Sequence, residues 1–552
     1  MLSSHDAVLQ ALLSLRGIDP TQETRADDAW GEAIETAATR MRAALDAGER
    51  IGIVGDYDCD GITSAAQLVR CCRRHGCEPT VLLPHRVRDG YGLHPSHVAA
   101  CIDAGVGLLI AADTGVTALA AIEATRAGGM DVIILDHHAL PTQLPNATAI
   151  VHPALAGLSE PHPSAAGIVY AFVRRVEGDT WIGEAEDRLL AALGTVADVV
   201  PLLGGNRALV RSALADIHRI DADAPLALLV QRTLGGNGPL TAQDIAYRIA
   251  PRINAAGRMD DPHIALRALL GDAAALDTLE HLNAARQEQT EALLQDCDAA
   301  IAGAHDQACV CIADARYPHG LLGLLAGKIT ERTGKPALVG TIHGGLCTAS
   351  LRSPPGCDII AVLRRCHERL LQGGGGGFSS VGGHARAAGC TFHAEHFADV
   401  ADAVHADVDA LLPIDRRSPA CCADVAIDPR LANAALARTL STLEPFGEGN
   451  PEPRFLLCKV TLEHARLVGG DGRHLQAGLA GIGAIGFGLG RTLPHLTHAV
   501  DVIARLGINQ WNGKERAQWI VDDLRSAVSL SVPVATPAPV CPPLQTHPSP
   551  AR

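Results

Sequence analysis

Aromatic side chains are scarce in this sequence. The 552 residues include only 7 Phe, 5 Tyr and 4 Trp, together 3% of the chain. A protein that bound nucleic acid by stacking bases over a broad surface would need many more of them. The scarcity limits stacking to a few candidate side chains, such as Tyr91, Tyr317 and Trp511.

An excess of basic residues is also lacking. The chain has 46 Lys and Arg against 61 Asp and Glu, a formal net charge of −15 at pH 7. This balance argues against a wholly basic coat for nucleic acid, but it allows an enzyme that gathers carboxylates around metal ions. Hydrophobic residues make up 47%, which excludes global disorder. At about 150 residues per domain, the length predicts three or four domains.

Signals for export and for membrane insertion are missing. The first six residues have no basic region that leads into an apolar one, so we expect no signal peptide. The longest uncharged apolar stretch, His474–Gly490, is 17 residues long and carries six glycines. It is short for a membrane span, and its glycines favour strands and turns.

Cysteine pairs with the spacing of a zinc finger are missing as well. The 16 cysteines include no Cys-x-x-Cys. Three close pairs have other spacings: Cys71-Cys72, Cys309-x-Cys311 and Cys421-Cys422. Because these spacings do not suit a zinc finger, we expect the cysteines to be reduced thiols in the core of a cytoplasmic protein.

Short apolar runs and helical stretches alternate from residue 50 onward. This alternation predicts a parallel sheet with right-handed crossovers. A further helix is predicted over 185–200, ending near Asp198. The predicted strands are 51–55, 80–84, 107–112 and 132–135, and the predicted helices between them are 64–75, 95–104 and 117–127.

The rest of the chain divides into segments of different character. We expect an α/β protein built from a parallel-sheet domain, a long helix, a second α/β domain and a β domain. The long helix is predicted because leucines recur at helical spacing without interior Gly or Pro. The expected bounds are 1–48 for a helical lead-in, 49–270 for the first domain, 271–304 for the connecting helix, 305–410 for the second α/β domain, 418–528 for an all-β unit and 531–552 for a Pro-rich disordered tail.

Three aspartates alternate between the first predicted strand and the helix after it. The segment reads Gly55-Asp-Tyr-Asp-Cys-Asp-Gly61. Like charges clustered this closely need a cation, and hard divalent ions such as Mg²⁺ or Mn²⁺ prefer carboxylate oxygens. The alternatives are a solvated Asp-rich turn or a calcium loop, but the following helix lacks the further ligands of an EF-hand.

Two more predicted strands end in the same chemistry. One runs into Asp113, and the other runs into Asp136-His137-His138. Carboxyl ends of parallel strands border the ligand crevice of an open α/β sheet. Asp198 ends a predicted helix, where the helix dipole disfavours an acid unless a cation is near. Together these residues predict a two-metal site, a type of site that suits phosphoester hydrolysis.

These residues resemble the four motifs of the DHH phosphoesterase superfamily, and their order resembles its RecJ branch of single-strand-specific exonucleases. The motif segments are Gly55–Ser64, Asp113–Gly115, Asp136–His138 and Val196–Pro201. Further segments similar to RecJ are Arg88–Leu93, Ala250–Arg258, His319–Gly323, Gly382–Gly389 and Leu443–Pro453. The resemblance implies a DHH domain joined by a long helix to a DHHA1 domain, followed by an OB-like domain.

The resemblance also implies roles for individual residues. Two Mn²⁺ or Mg²⁺ ions would be held by Asp56, Asp58, Asp60, Asp113, His137 and Asp198, with Asp113 as the bridge. His138 would support the site or touch the scissile phosphate, which completes the expected catalytic set of Asp58, Asp60, Asp113, His137, His138 and Asp198. The expected activity is metal-dependent degradation of single-stranded DNA from 5′ to 3′ into mononucleotides, in DNA repair and recombination.

Other residues are expected to bind the DNA backbone. Glycines at Gly382-Gly383 let backbone N–H groups approach an anion, and His384 adds a donor. Arg352-Ser353 follows a predicted strand and could hold another phosphate. Arg258 precedes the long helix, facing the predicted cleft between the α/β domains. The resemblance also implies that the protein is a monomer and that it works with single-strand-binding protein and a RecQ-type helicase. No membrane partner is expected.

The sequence departs from the family pattern at three places, none of which removes a predicted metal ligand. His152-Pro153 stands where Asn-Pro is usual, Ser164–Gly167 replaces Cys-Gly-Ala-Gly, and Thr348–Ser353 replaces Gly-Ser-Gly-Arg-Ser. Two alternative functions fit the sequence less well. A phosphodiesterase for short oligonucleotides or cyclic dinucleotides gives no reason for the β unit at 418–528. A non-catalytic DNA-binding scaffold would be favoured only if the acids had been lost.

Overall fold

The computed structural model describes residues 2, 4–18, 30–235, 239–372, 376–411, 422–470, 472–495, 499–511 and 514–527. The predicted tail at 531–552 lies outside these residues, as does the side chain of Trp511. The α-helices are α1 His5–Arg16, α2 Gly31–Asp46, α3 Cys59–Arg74, α4 Pro95–Asp103, α5 Leu119–Ala127, α6 Ala165–Glu177, α7 Glu184–Ala197, α8 Gly204–Ala215, α9 Pro225–Leu234, α10 Ala242–Asp244, α11 Ala250–Met259, α12 His263–Leu269, α13 Ala273–Asp296, α14 Asp298–Gly303, α15 Leu322–Thr333, α16 Ile359–Gln372, α17 Phe397–Leu411 and α18 Ala434–Ser441.

Sixteen strands lie between these helices in the described part of the chain. They are β1 Ile51–Val54, β2 Thr80–Leu82, β3 Leu108–Ala112, β4 Asp131–Leu135, β5 Ala149–Val151, β6 Val310–Ala313, β7 Ala337–His343, β8 Leu346–Arg352, β9 Ser380–His384, β10 Ala387–His393, β11 Val425–Ala426, β12 Phe455–Val468, β13 His474–Leu479, β14 Ile482–Gly486, β15 Ala499–Trp511 and β16 Lys514–Ser526. Short 3₁₀ helices and one π-helical turn, Ile245–Ile249, complete the structure. No helix among the described residues is long and apolar enough to cross a membrane.

The chain divides into two compact units, and the larger comprises residues 25–200 and 212–419. Its first sheet is wholly parallel in the order β2-β1-β3-β4-β5. Strands β1 and β3 are buried along their whole length, which is why they are continuous apolar runs in the sequence. All four predicted strands of this sheet are confirmed, and the carboxyl ends of β1, β3 and β4 point to the same edge.

Helix α3 begins at Cys59, five residues before the predicted start at Ser64. The reason is a cap: the Asp58 carboxylate accepts a hydrogen bond from the Gly61 N–H at 3.1 Å. Gly61 also permits a close approach, because a Cβ there would lie 2.4 Å from the backbone nitrogen of Asp56. The aspartate-rich segment is therefore a tight strand-to-helix turn.

The second sheet of this unit has the order β6-β7-β8-β10-β9 and is mixed. Only β6 and β7 run parallel; the other neighbours are antiparallel. The strand predicted before Arg352-Ser353 is β8, and it includes Arg352 itself. Instead of one helix over 271–304, the structure has α13 and α14, separated at Cys297.

The second unit comprises residues 1–24, 201–211 and 420–552. Strands β12, β13, β14, β16 and β15 pair in that order, and β15 pairs back to β12, so the five strands close into a barrel. Phe455 and Trp519 fill its core with their rings 6.1 Å apart. Helix α18 also packs on the barrel, so the unit is not all-β as expected.

The predicted lead-in at 1–48 is divided between the two units. Val8 and Leu12 of α1 are fully buried in the core of the barrel unit, together with residues such as Leu436. Helix α2 instead packs against α6 and β5 of the larger unit. The last residue of α1, Arg16, also contacts the barrel unit, because its guanidinium donates a hydrogen bond to the Asn450 side chain at 2.8 Å.

Candidate metal centre

The turn after β1 carries three aspartates in three different environments. Asp56 is buried, and its Oδ1 has no hydrogen-bond partner. Asp58 is half-buried and caps α3. Asp60 is buried, and its two oxygens accept hydrogen bonds from the N–H groups of Ala165 and Ala166 at 2.8 and 2.9 Å. A buried carboxylate oxygen without a partner is costly, so the Asp56 oxygen indicates that a cation belongs here.

Asp113 follows β3 and lies at the centre of the cluster. Its φ is +61°, the left-handed region that few residues other than glycine adopt. The side chain is buried, and its Oδ1 lies 3.2 Å from Nε2 of His137. Burial, with the charges of Asp60 and Asp58, raises the pKa of Asp113 well above its usual range. Backbone strain in a carboxylate surrounded by carboxylates is typical of a functional position.

The His137 ring lies close to three aspartates that come from different elements: Asp60, Asp113 and Asp198. Its Nδ1 lies 3.7 Å from Oδ2 of Asp198, and its Nε2 lies 3.9 Å from Oδ2 of Asp60. Burial and the neighbouring His138 lower the pKa of His137 to about 4, so the ring is neutral and has a lone pair for a metal. Asp198 ends α7 as its C-cap, as the sequence predicts.

The ligand atoms form three overlapping groups of three, each within 4.8 Å. These groups are Asp56, Asp58 and Asp113; Asp60, His137 and Asp198; and Asp113, His137 and His138. The structure thus brings all six predicted metal ligands together, and Asp113 and His137 connect the groups. Oxygen donors with one imidazole form the donor set that Mg²⁺ and Mn²⁺ accept, so the residues fit two such ions.

The crowding of negative charge is visible in the acids themselves. Burial and the Asp58 charge raise the pKa of Asp60 to about 7. Burial and the charges of Asp60 and Asp58 raise the pKa of Asp198 to about 9. Bound cations would relieve this repulsion and restore the ionised carboxylates.

Asp136 holds the two histidines and is not itself a candidate ligand. Its Oδ1 accepts from the His137 N–H at 2.8 Å and the His138 N–H at 3.1 Å, and it lies 2.7 Å from Nδ1 of His138. Its Oδ2 accepts from the Val116 N–H at 3.0 Å. Burial alone would raise the pKa of Asp136, but these hydrogen bonds lower it to about 2. Asp136 therefore stays ionised and orients the neighbouring rings.

His138 is the one histidine of the pair with a raised pKa. Burial opposes its charged form, but the hydrogen bond with Asp136 and the negative charges of Asp136, Asp56 and Asp58 together outweigh burial. The Tyr91 hydroxyl lies 2.9 Å from Nε2 of His138. His152, which replaces the usual Asn, lies with its Nε2 2.8 Å from the His138 carbonyl oxygen. This departure from the family pattern thus still supports the histidine segment.

The segment Ser164–Gly167, the second departure from the family pattern, contacts the metal centre through backbone N–H groups. The Ser164 hydroxyl caps α6 by accepting from the Gly167 N–H, and the next two N–H groups bind Asp60. A helix N-terminus stabilises a carboxylate whatever the side chains are. Ser164–Gly167 can therefore replace Cys-Gly-Ala-Gly without loss of this contact.

An arginine cluster lies beside the acidic turn. The Arg86 guanidinium carbon is 3.9 Å from the centre of the Tyr57 ring. Burial, with the charges of Arg86 and Arg352, lowers the pKa of Arg258 to about 9. Burial and Arg86 also lower the pKa of Arg352. Cations that depress one another's pKa form a site for an anion. The sequence predicts Arg258 and Arg352 as phosphate-binding residues but gives no signal for Arg86.

Glycines bring the arginine cluster close to the metal turn. A Cβ at Gly257 in α11 would lie 2.6 Å from the Tyr57 carbonyl oxygen. A Cβ at Gly320 would lie 2.0 Å from the Arg258 carbonyl oxygen. The segments Ala250–Arg258 and His319–Gly323 are therefore shaped for close packing.

The remaining predicted substrate residues lie in the second sheet. The Ser353 side chain is buried and donates to the carbonyl oxygens of Cys357 and Ala385, so it holds a turn. Gly382, Gly383 and His384 are exposed on the edge strand β9. In the described part of the chain, no hydrogen bond joins them to the acidic cluster.

The aromatic candidates differ in their access to a base. Tyr317 is 8% exposed and its hydroxyl lies 3.4 Å from the Cys297 sulfur, so the expectation that it stacks on bases is wrong. Tyr91 is 50% exposed beside His138. Stacking next to the metal centre thus depends on Tyr91.

Comparisons with known proteins agree with this geometry. The DHH family, N-terminal domain, matches residues 50–195, and the RecJ OB domain matches residues 423–523. Single-stranded-DNA-specific exonuclease RecJ of Thermus thermophilus is 34% identical, covering 92% of this chain and 74% of that protein. The protein of the same name from Escherichia coli is 30% identical, covering 94% and 95%.

Solved structures give the same result. A crystal structure of RecJ from Thermus thermophilus in complex with Mn²⁺ has a TM-score of 0.80 at 31% identity, covering 95% of this chain and 76% of that chain. A second one, in complex with Mg²⁺, has a TM-score of 0.75 at 30% identity, covering 94% and 74%. This chain belongs to the RecJ family of DHH proteins.

Proposed function

We propose that this protein is a metal-dependent exonuclease that degrades single-stranded DNA from 5′ to 3′ into mononucleotides, in DNA repair and recombination. The observation that carries the proposal is the set of three overlapping ligand groups at the carboxyl edge of the parallel sheet. The names of the relatives, single-stranded-DNA-specific exonuclease RecJ, support the substrate and the reaction.

Two Mn²⁺ or Mg²⁺ ions are the proposed cofactors. The residues proposed to hold them are Asp56, Asp58, Asp60, Asp113, His137 and Asp198. Such ions activate a water molecule and offset the negative charge that develops on the phosphate. The solved RecJ structures in complex with Mn²⁺ and with Mg²⁺ support this choice.

His138 is proposed to act on the scissile phosphate. Its Nδ1 is held by the Asp136 carboxylate, which leaves Nε2 to present a proton toward the Tyr91 hydroxyl. Its raised pKa favours the protonated ring. A positioned imidazolium stabilises a phosphate oxygen or protonates a leaving oxygen.

The DNA backbone is proposed to bind to arginines and to backbone N–H groups. Arg86, Arg258 and Arg352 repel one another in the free protein, so a phosphate would relieve this repulsion. Gly382, Gly383 and His384 offer an exposed strand edge for further phosphates. The barrel unit, which matches the RecJ OB domain, is proposed to bind single-stranded DNA by itself. Contacts of this kind give little base preference.

The test is to incubate the purified protein with Mn²⁺ and DNA labelled at either end, as single strands and as duplex. We expect mononucleotides to be released from the 5′ end of single strands and much slower release from duplex. Activity confined to dinucleotides or cyclic dinucleotides would contradict the proposal. Asp113→Ala should lower the rate by more than about a hundredfold, whereas Asp103→Ala, an exposed acid in α4, should not.

The proposal extends to partners, oligomeric state and compartment. We propose a cytoplasmic monomer that works with single-strand-binding protein and a RecQ-type helicase. None of the described cysteines forms a disulfide, which fits a reducing compartment. Light scattering would test the monomer, fractionation would test the compartment, and co-purification from cells with and without nuclease treatment would test the partners.

A further inference from the structure

Two cysteines and a histidine meet in the second sheet domain, apart from the acidic ligands. Cys309 directly precedes the edge strand β6, Cys311 lies within it, and His405 lies on α17. The two sulfurs are 3.4 Å apart, and the Cys309 sulfur is 3.1 Å from Nδ1 of His405. All three ligand atoms lie within 4.8 Å of one another.

The backbone explains why these side chains converge. Residues two apart on a strand share a face, so both thiols point to the side of the sheet on which α17 packs. Cys309 is buried, whereas Cys311 and His405 are half-buried. The cluster is therefore held by the core on one side and reachable from solvent on the other.

The observed separations of the ligand atoms are slightly shorter than those around a tetrahedral zinc ion. Zn–S bonds of about 2.3 Å and Zn–N bonds of about 2.0–2.1 Å place two sulfurs about 3.8 Å apart and a sulfur and a nitrogen about 3.6 Å apart. Small rotations of the side chains would bring the observed separations to these values. The ligand class also differs from that of the acidic centre, since thiolates select soft or borderline ions and carboxylates select hard ones.

We propose that Cys309, Cys311 and His405 form a binding site for a thiophilic cation, Zn²⁺, which fastens helix α17 to strand β6. The cluster supplies three protein ligands, so a water molecule takes the fourth position. Binding releases the two thiol protons to solvent and involves no oxidation. The site is independent of the proposed nuclease activity.

Cobalt is the probe that distinguishes this site from the acidic centre. The full-length, fully reduced protein would be titrated with Co²⁺ in excess Mg²⁺, which occupies the oxygen ligands. We expect one equivalent of Co²⁺ to produce a thiolate-to-cobalt charge-transfer absorption, and Zn²⁺ to abolish it. Cys311→Ser and His405→Gln should weaken cobalt binding at least about tenfold. Cys357→Ser is the matched control, because Cys357 is buried in the same core and lacks a neighbouring thiol or imidazole among the groups that act on its pKa.

A second measurement needs no variant. Zn²⁺ should protect Cys311 from alkylation in the native protein and leave the exposed Cys458 as reactive as before, as read by peptide mass. Unchanged nuclease activity of the variants with Mn²⁺ would show that they fold. The proposal is overturned if the reduced protein gives no charge-transfer band, if the band survives in both variants, or if Cys309 and Cys311 are isolated as a disulfide that does not bind metal after reduction.

Discussion

Asp113 illustrates how much this site constrains a single residue. A carboxylate is buried among other carboxylates and is held at a positive φ. Such a conformation costs on the order of 1 kcal/mol or more. Metal-free protein therefore contains repulsion and strain that bound cations offset. The same residue should lower stability without metal and raise it with metal.

Asp113→Asn tests this sign change. Asn tolerates positive φ and removes the buried charge, so the metal-free variant should be more stable than the natural protein at neutral pH, because burial and the neighbouring carboxylates oppose the charged form of Asp113. With Mn²⁺ the order should reverse, because a ligand is lost. Denaturant unfolding in chelator and in Mn²⁺ measures both. Equal stability of the two proteins in chelator would contradict the account.

Asp136→Asn tests the positioning of the histidines. Asn cannot accept from all four donors, so His138 should lose its orientation and its pKa should fall. We expect kcat to decrease about 10- to 100-fold, with the fold retained. The fall of kcat at high pH should also begin at a lower pH, a shift that a merely structural effect would not produce. Asp131→Asn, in surface ion pairs at the start of the same strand, is the control.

Elements meet closely at this site because glycines replace side chains at their contacts. Helix α11 approaches the metal turn through Gly257, and the turn before α15 approaches α11 through Gly320. The arginine cluster depends on both contacts. We therefore expect the proposed phosphate site and the proposed metal site to be coupled through the packing of three elements.

Gly257→Ala should push α11 away from the turn. The added methyl would lie 2.6 Å from the Tyr57 carbonyl oxygen, a backbone atom that cannot rotate aside. We expect a loss of about 1–3 kcal/mol in stability and a raised KM for single-stranded DNA. Gly327→Ala in α15, where a Cβ meets nothing within 4 Å, should instead be neutral or stabilising by up to about 1 kcal/mol. Similar effects of the two changes on unfolding would refute this interpretation.

The metal ligands could be predicted from the sequence because strand ends and carboxylates are local signals. Alternating apolar runs place β1, β3 and β4, and Asp113 and His137 follow directly. Contacts between distant segments have no such local signal. Arg86 lies in a loop without periodicity, and the inward direction of Ser353 depends on carbonyl groups of its own turn and of the turn after β9. The arginine cluster and the Cys309–His405 contact therefore required the structure.

At the scale of the molecule, the first helix belongs with the last domain. Leu12 of α1 is fully buried in the core of the barrel unit. The hydrophobic periodicity of α1 predicts a helix, but it does not indicate which segment the helix packs against, and that segment is more than 400 residues away in the chain. The core of the barrel unit therefore includes side chains of α1 as well as those of the strands.

Leu12→Ala tests this dependence. Removing a fully buried leucine side chain should destabilise the barrel unit by about 2–5 kcal/mol. Gln10→Ala, on the exposed face of the same helix, should change stability by less than about 0.5 kcal/mol. Hydrogen exchange of β12 and β15 reports the stability of this unit directly. Unchanged protection of these strands in Leu12→Ala would show that α1 is not required.

The net charge of −15 also has a consequence for the whole molecule, because part of it is concentrated at one edge of a sheet. Folding raises the pKa of Asp56, Asp60, Asp113 and Asp198, so the folded metal-free protein binds protons more tightly than the unfolded chain does. This contribution to stability is fully present below the unfolded pKa, about 4, and is lost as pH rises through about 7 for Asp60 and about 9 for Asp198. Melting temperatures in chelator should therefore fall between about pH 6 and pH 9. Saturating Mn²⁺ should remove this slope, and Asp113→Asn should reduce it; an equal slope with and without Mn²⁺ would mean that these acids do not share one cation-binding centre.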